Sequence, residues 1–237
     1  MLSKKFPLKE KLYSKIILRR IIRFTIFLNK NFNKTIMINN EEIISIKKIK
    51  FNHIMEGNMK TLETERLILR KWNEDDYLDL FEYACDNRVG PNAGWPVHKS
   101  VEESRSVIKS FIENDDTYAI VLKSENKVIG GIGMHNRTPD EALKDLKQRE
   151  IGYVLNPKYW GNGYVPEAVK ILIKYGFEEM NLDLIWCGHY DFNIKSKRVI
   201  EKCGFNHKFN RDITLKLLDN KQVNELFYNI SKSEYYS

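Results

Sequence analysis

A chain of 237 residues, 42% apolar and 12% aromatic, is enough for one ordinary domain, or one domain plus an appendage, and is too apolar for a disordered one. Its net charge of +7 is unevenly spread: residues 1–58 carry 13 basic and 4 acidic side chains, and the remainder nets −2, so a nucleic-acid reading of the whole chain loses its support. Three cysteines, Cys85, Cys187 and Cys203, stand in no metal-ligand spacing, which argues against a disulfide framework or a metal site and for a reducing, cytoplasmic compartment.

Residues 1–58 read as a basic leader rich in Ile, Lys, Asn and Phe. Its longest apolar stretch, 16–28, is broken by Arg19, Arg20 and Arg23 and falls short of the ~20 apolar residues a membrane span takes. No small-residue cleavage site follows it, so it is not a secretory signal. Two readings stand. One is a basic amphipathic helix over 11–30 that lies on an anionic membrane or on RNA. The other is translated upstream sequence, with Met59 opening a natural beginning, MKTLETERLILRKW. The leader is expected to be poorly ordered and 59–237 to form the folded domain.

Along that domain, 62–71 alternate as a strand, with Leu67 and Leu69 on one face and Arg66, Ile68 and Arg70 on the other. Asn73 reads as a helix N-cap, followed by Glu74, Asp75 and Asp76 in the first turn. The stretch 88–99, with two glycines and two prolines, is loop. Ser100 and Glu103 make a capping box for a helix reaching about Asn114. Strands at 117–123 and 127–135 flank a turn at 124–126. A polar excursion, 136–148, leads to a strand at 149–155, a glycine-rich loop and a long helix at 165–180. A strand at 184–189 and a helix at 195–202 follow, and strand-like pieces at 211–219 and 222–230 form a hairpin around Asn220. The order is that of an α+β domain, a central sheet with helices packed on it.

The strongest chemical signal is LNPKYWGNGYVPEAVKILIKYGF, 155–177. A strand ends, a loop carries Gly161 and Gly163, and a helix starts within a few residues. Amide groups at a helix start have no intrahelical partner and the macrodipole adds positive potential there, so such a turn suits a phosphate. It is neither a dinucleotide fingerprint, lacking the third glycine, nor a P-loop, lacking GK[ST]. Alone it is weak evidence, since most such turns are only turns.

With its flanks, REIGYVLNPKYWGNGYVPEA resembles the acyl-CoA motif of GNAT N-acetyltransferases, and most of all the Rim-type branch of ribosomal-protein N-terminal acetyltransferases. The family's Gln/Arg-x-x-Gly-x-Gly/Ala corresponds here to Trp160, Gly163 and Val165, the valine being a mild departure that crowds the pyrophosphate position. A second block, NIKSKRVIEKCGF at 193–205, and the opening TERLILR at 64–70 are similar to the family's as well. The resemblance covers about 60–230 and implies a GNAT fold, a twisted mixed β-sheet whose splayed central strands are flanked by helices. It implies acetyl-CoA as co-substrate, with no metal. The amides of Trp160, Gly161, Asn162, Gly163, Tyr164 and Val165 would hold the pyrophosphate, the strand edge at Val154 and Leu155 the pantetheine, and Asn193 the region near the thioester.

The activity implied is direct transfer of an acetyl group to a primary amine, on a protein N-terminus or a small molecule; the alternative is an acyl-CoA-binding sensor or scaffold that has lost catalysis. Transfer needs a neutral amine, a donor to the carbonyl oxygen and a proton for the leaving thiolate. Glu150, at the start of its strand, is the candidate base, acting through water; otherwise it is a surface carboxylate. A backbone N–H at Val154 or Leu155 is the candidate donor to the carbonyl. Many family members use a tyrosine on the last helix as acid, where this chain has Ile200, so Ser196 is the candidate to assist the leaving sulfur. His135 and His189 sit near strand ends and titrate near neutrality, but such histidines are commonly structural, and Cys187 and Cys203 are read as structural too. Trp72, Trp95 and Tyr118 are candidate walls of the acceptor site, or simply core. The loops 88–99 and 136–148, the latter with Asp140, Glu141 and Asp145, are where acceptor choice is expected, and a homodimer is a further expectation from the branch.

Overall fold

The computed structural model describes residues 59–237, so the leader and its expected helix over 11–30 lie outside the described residues. The domain opens with Leu62–Glu63 (β1), Leu67–Arg70 (β2), Tyr77–Ala84 (α1) and Val101–Asn114 (α2). Thr117–Leu122 (β3), Lys127–His135 (β4), Gln148–Leu155 (β5) and Tyr164–Glu178 (α3) follow. Leu184–Tyr190 (β6), Ile194–Lys202 (α4), Asn206–Leu215 (β7), Lys221–Ser231 (β8) and Lys232–Tyr235 (α5) complete it.

One eight-stranded sheet runs β1-β2-β3-β4-β5-β6-β8-β7. All neighbours are antiparallel except β5 and β6, which are parallel and pair only from Gln148↔Leu184 to Ile151↔Cys187. Past Ile151 the two strands continue unpaired with each other, which opens the wedge the resemblance implied. Period-2 alternation assigns the faces. Tyr118, Ile120 and Leu122 join one core with Ala168, Leu172 and Phe177 of α3. Ala119 and Val121 join the other with Leu80 and Tyr83 of α1 and Ile108 of α2. Most helix positions agree with the sequence: the Ser100 hydroxyl accepts the Glu103 N–H at 3.3 Å, although the Glu103 carboxylate takes the Lys99 N–H rather than closing the box on Ser100.

Three expectations need correction. The run 62–71 is not one strand but the β1–β2 hairpin, because the Thr64 hydroxyl accepts the Leu67 N–H at 2.9 Å and folds the chain back, pairing Leu62 with Leu69. The last hairpin is longer than its apolar pattern suggested: β7 starts at Asn206, and the turn uses Asp219 and Asn220, both at positive φ (51° and 57°). Tyr118 faces the α3 core, away from the space between α1, α2 and the sheet where an acceptor-site wall was expected.

Candidate active site

The glycine turn is built from the strand end outward. The Trp160 indole N–H donates to the Leu155 carbonyl at 2.9 Å, folding the loop back over the end of β5. Gly161 (φ 84°) and Gly163 (φ 78°) are left-handed, which explains why glycine stands at both. A Cβ on Gly161 would meet nothing within 4 Å, so the main chain there faces open space. Gly163 precedes α3 as its cap residue, leaving the first amides of the helix directed at the groove. A brace that sequence reasoning missed holds this loop. Arg66, in the β1–β2 turn, donates to the Asn162 carbonyl at 2.9 Å and pairs with Glu167 of α3 at 2.6 Å.

A groove of about 420 Å³ runs from this turn along the wedge, lined by Val154, Leu155, Trp160, Gly161, Gly163, Tyr164, Val165, Asn193 and Ser196. Eight of the nine residues expected to hold the co-substrate, and Ser196 with them, thus surround one cavity, and the ninth, Asn162, sits within the loop. Arg88, Lys195, Arg198 and Lys202 also line it, and the Lys195 ammonium lies 3.6 Å from the Trp160 ring centroid. An apolar wedge, positive-φ glycines and four cations suit a long apolar arm ending in phosphates. Val165 turns its side chain into the α3 core while also touching the groove.

A second cavity, about 590 Å³, lies between the sheet and α1, α2 and the 88–99 loop, which contributes Ala93, Trp95, Pro96 and His98. The two cavities share Ala93, Tyr153, Val154, Asn193 and Ser196. At this junction the Tyr153 hydroxyl lies 2.8 Å from Ser196 Oγ, and burial pushes its pKa well up. Tyr153 was missed in the sequence; the signal was its place on the face of β5 shared with Ile151 and Leu155. Ile200 is fully buried in the core. Asn193 caps α4, its side-chain oxygen accepting the Ser196 N–H at 3.1 Å while its amide donates to the Asn92 carbonyl at 3.0 Å.

Glu150 is not among the side chains lining either cavity. It sits just behind the second one, where Arg137 bridges it at 3.1 Å to Glu225 of β8 at 3.3 Å. Burial raises the Glu150 pKa and Arg137 opposes it, with burial prevailing. Glu225, also missed, does line the cavity. Gly188 of β6 lies between the two carboxylates, and a Cβ there would be 3.5 Å from an oxygen of each. His135 lines the cavity and pairs with Asp116 at 2.9 Å. The ring nitrogens of His189 are engaged by the Tyr190 carbonyl and the Tyr228 hydroxyl. Cys187 and Cys203 are buried, and burial raises both thiol pKa values, that of Cys203 to about 11. Trp72 and Trp95 line the cavity, whereas Asp140, Glu141 and Asp145 do not.

A parallel pair that splays beside a glycine turn, with a cationic groove meeting a second cavity at the wedge, is a geometry suited to an acyltransferase. The family profile described as the acetyltransferase (GNAT) domain matches residues 66–206, and the chain belongs to that family. It is 30% identical over 147 residues, 62% of this chain and 83% of the other, to the uncharacterized N-acetyltransferase YnaD of Bacillus subtilis strain 168. An acetyltransferase of the GNAT family from Bacillus anthracis has a similar structure, with TM-score 0.66 and 29% identity, covering 74% of this chain and 100% of that one. The ribosomal-protein-S5-alanine acetyltransferase of Vibrio fischeri shares the fold at TM-score 0.58 and 21% identity, over 75% of this chain and 99% of that one. The protein is an acyl-CoA-dependent acetyltransferase with a GNAT fold. No helix among the described residues is long and apolar enough to cross a membrane.

Proposed function

We propose that this chain moves the acetyl group of acetyl-CoA directly onto a primary amine bound in the second cavity, and that it stands in the Rim-type branch of its family. The observation that carries the reading is the meeting of the two cavities at Tyr153, Val154, Asn193 and Ser196. A thioester laid along the first groove and an amine in the second would come together there, and holding both reactants in place supplies much of the rate enhancement. Acetyl-CoA provides the activated acyl carbon and a thiol leaving group.

The loop from Trp160 to Val165 binds the pyrophosphate through its amides. The edge of β5 at Val154 and Leu155 takes the pantetheine and offers an N–H to the carbonyl oxygen. An alkylammonium is mostly protonated at neutral pH. Glu150, through Glu225 and an intervening water, draws off that proton. The amine nitrogen then forms its bond to the acyl carbon as the carbon–sulfur bond breaks and sulfur leaves with the electron pair. Ser196 donates a hydrogen bond to that sulfur, and the second proton of the attacking nitrogen, released as the amide forms, passes to the thiolate through Ser196 and Tyr153, 2.8 Å from Ser196 Oγ, so that both hydroxyls end protonated. The raised Tyr153 pKa keeps its hydroxyl in the neutral form at neutral pH.

The test is to incubate the purified chain with acetyl-CoA and a mixed panel of amines and N-terminal peptides, following thiol release and product mass. Acetylated amine is expected. Tight acetyl-CoA binding without any amine-dependent thiol release would instead leave a sensor or scaffold module.

A further inference from the structure

We infer that the acceptor is a small primary amine carried on an aromatic or apolar body, with a polar but uncharged substituent and no anionic group. This rests on the acyl-transfer reading above and deepens it. The walls of the second cavity are Trp72, Trp95, Phe111, Leu80, Val107 and Tyr190, an apolar surround for a ring or alkyl chain. Its volume of about 590 Å³ is that of a small-molecule site.

Charge then narrows the class. The lining holds Glu103, Glu225 and three histidines and, among the described residues, no lysine or arginine. Arg137, which stands behind the wall, is already shared between Glu150 and Glu225. An ammonium entering this space meets carboxylates. A substrate carboxylate or phosphate would have to lie beside them with no cation of its own, and like charges brought together in a desolvated site oppose binding strongly. Free amino acids and nucleotide-bearing amines are therefore excluded by chemistry rather than by size. Polyamines meet the opposite difficulty, since the lining holds two carboxylates, one of them already paired with Arg137, for three or more ammonium groups.

A separate observation points to the polar substituent. The Trp72 indole N–H and the Tyr83 hydroxyl are buried without a partner, and both residues line the cavity. Gly131 of β4 keeps the space before them open: a Cβ there would lie 3.3 Å from the Trp72 ring and 3.9 Å from the Tyr83 oxygen. Buried donors left single are costly, and a hydroxyl or carbonyl on the ligand would satisfy them.

The full-length chain should be assayed with acetyl-CoA and four acceptors: tyramine, tyrosine, spermidine and a peptide with an apolar N-terminus. Tyramine is expected to exceed tyrosine in kcat/KM by about a hundredfold or more, since the two differ only in the carboxylate. Leu217, an exposed residue on the cavity rim, allows a variant that leaves the core untouched. Leu217→Lys supplies the missing cation and should narrow the tyramine-to-tyrosine ratio. Equal or better use of tyrosine, spermidine or the peptide overturns the acceptor class while acyl transfer stands. Acetyl-CoA bound in calorimetry but none of the four acetylated overturns the class and leaves a binding module. No acetyl-CoA binding at all removes the acyl-transfer reading itself.

Discussion

At Glu150 two opposed effects meet. Burial favours the neutral carboxyl, the Arg137 guanidinium at 3.1 Å favours the ionised one, and the pKa ends above the ordinary carboxylate value. Only the ionised form can accept a proton, so turnover should fall on the acidic side at a higher pH than an unperturbed carboxylate would give. Glu150→Gln should remove that acidic limb and lower kcat by about a hundredfold. A pH–rate profile whose acidic limb survives the substitution would take Glu150 out of the mechanism. The sign for stability is separate. Because the folded state binds this proton more tightly than the unfolded one, this group's contribution declines as pH rises from the ordinary carboxylate pKa through the raised one. The residue was picked from its place at a strand start. That its carboxylate sits behind the cavity and shares Arg137 with Glu225, 75 positions along the chain, had no local signature, because Arg137 and β8 bring the two together only in the folded sheet.

Among the elements, α3 carries the motif and the β1–β2 turn holds it in place. Arg66 ties Glu167 at 2.6 Å and the Asn162 carbonyl at 2.9 Å, and its guanidinium lies 4.5 Å from the Tyr164 ring centroid. The pair is partly exposed, so its direct share of stability is small, about 1 kcal/mol or less after screening. Arg66→Ala should therefore lower Tm only by roughly 2–4 °C, while raising KM for acetyl-CoA by about tenfold as the loop proposed to hold the pyrophosphate loses its brace. Thermal melts alongside initial-rate kinetics check both, and a large Tm loss with unchanged KM would make Arg66 a purely structural residue. The opening TERLILR was matched to the family as a strand. Its fold into a hairpin was not legible, because a threonine hydroxyl capturing the Leu67 amide leaves the alternating pattern of Leu67 and Leu69 intact.

Over the whole molecule, the wedge between β5 and β6 is what joins the two cavities. Ladder bonds between them end at Ile151↔Cys187, and past that point the two strands line a cleft floor while pairing only with their outer neighbours. Arg88, Lys195, Arg198 and Lys202 reach the groove from the 88–99 loop and from α4, so no single element holds the positive field. Their effect on an exposed polyanion should be screened by salt. KM for acetyl-CoA should rise with ionic strength between low and physiological salt, and KM for the amine should change much less. Equal salt responses for both substrates would show that these cations do not meet the phosphates.

The sequence by itself determined the class. The strand–glycine turn–helix is local, since backbone conformation at Gly161 and Gly163 and amide exposure at the start of α3 depend on residues a few positions apart. The same holds for the continuous apolar runs of β3 and β4, which mark strands buried on both faces of the sheet. Only the tertiary structure decided the site around that motif. Tyr153 reaches Ser196 across 43 positions and Arg66 reaches Asn162 across 96, and Glu225 meets Arg137 across 88. Contacts at such separations depend on how strands pair and where helices lie, which no window of neighbouring residues encodes.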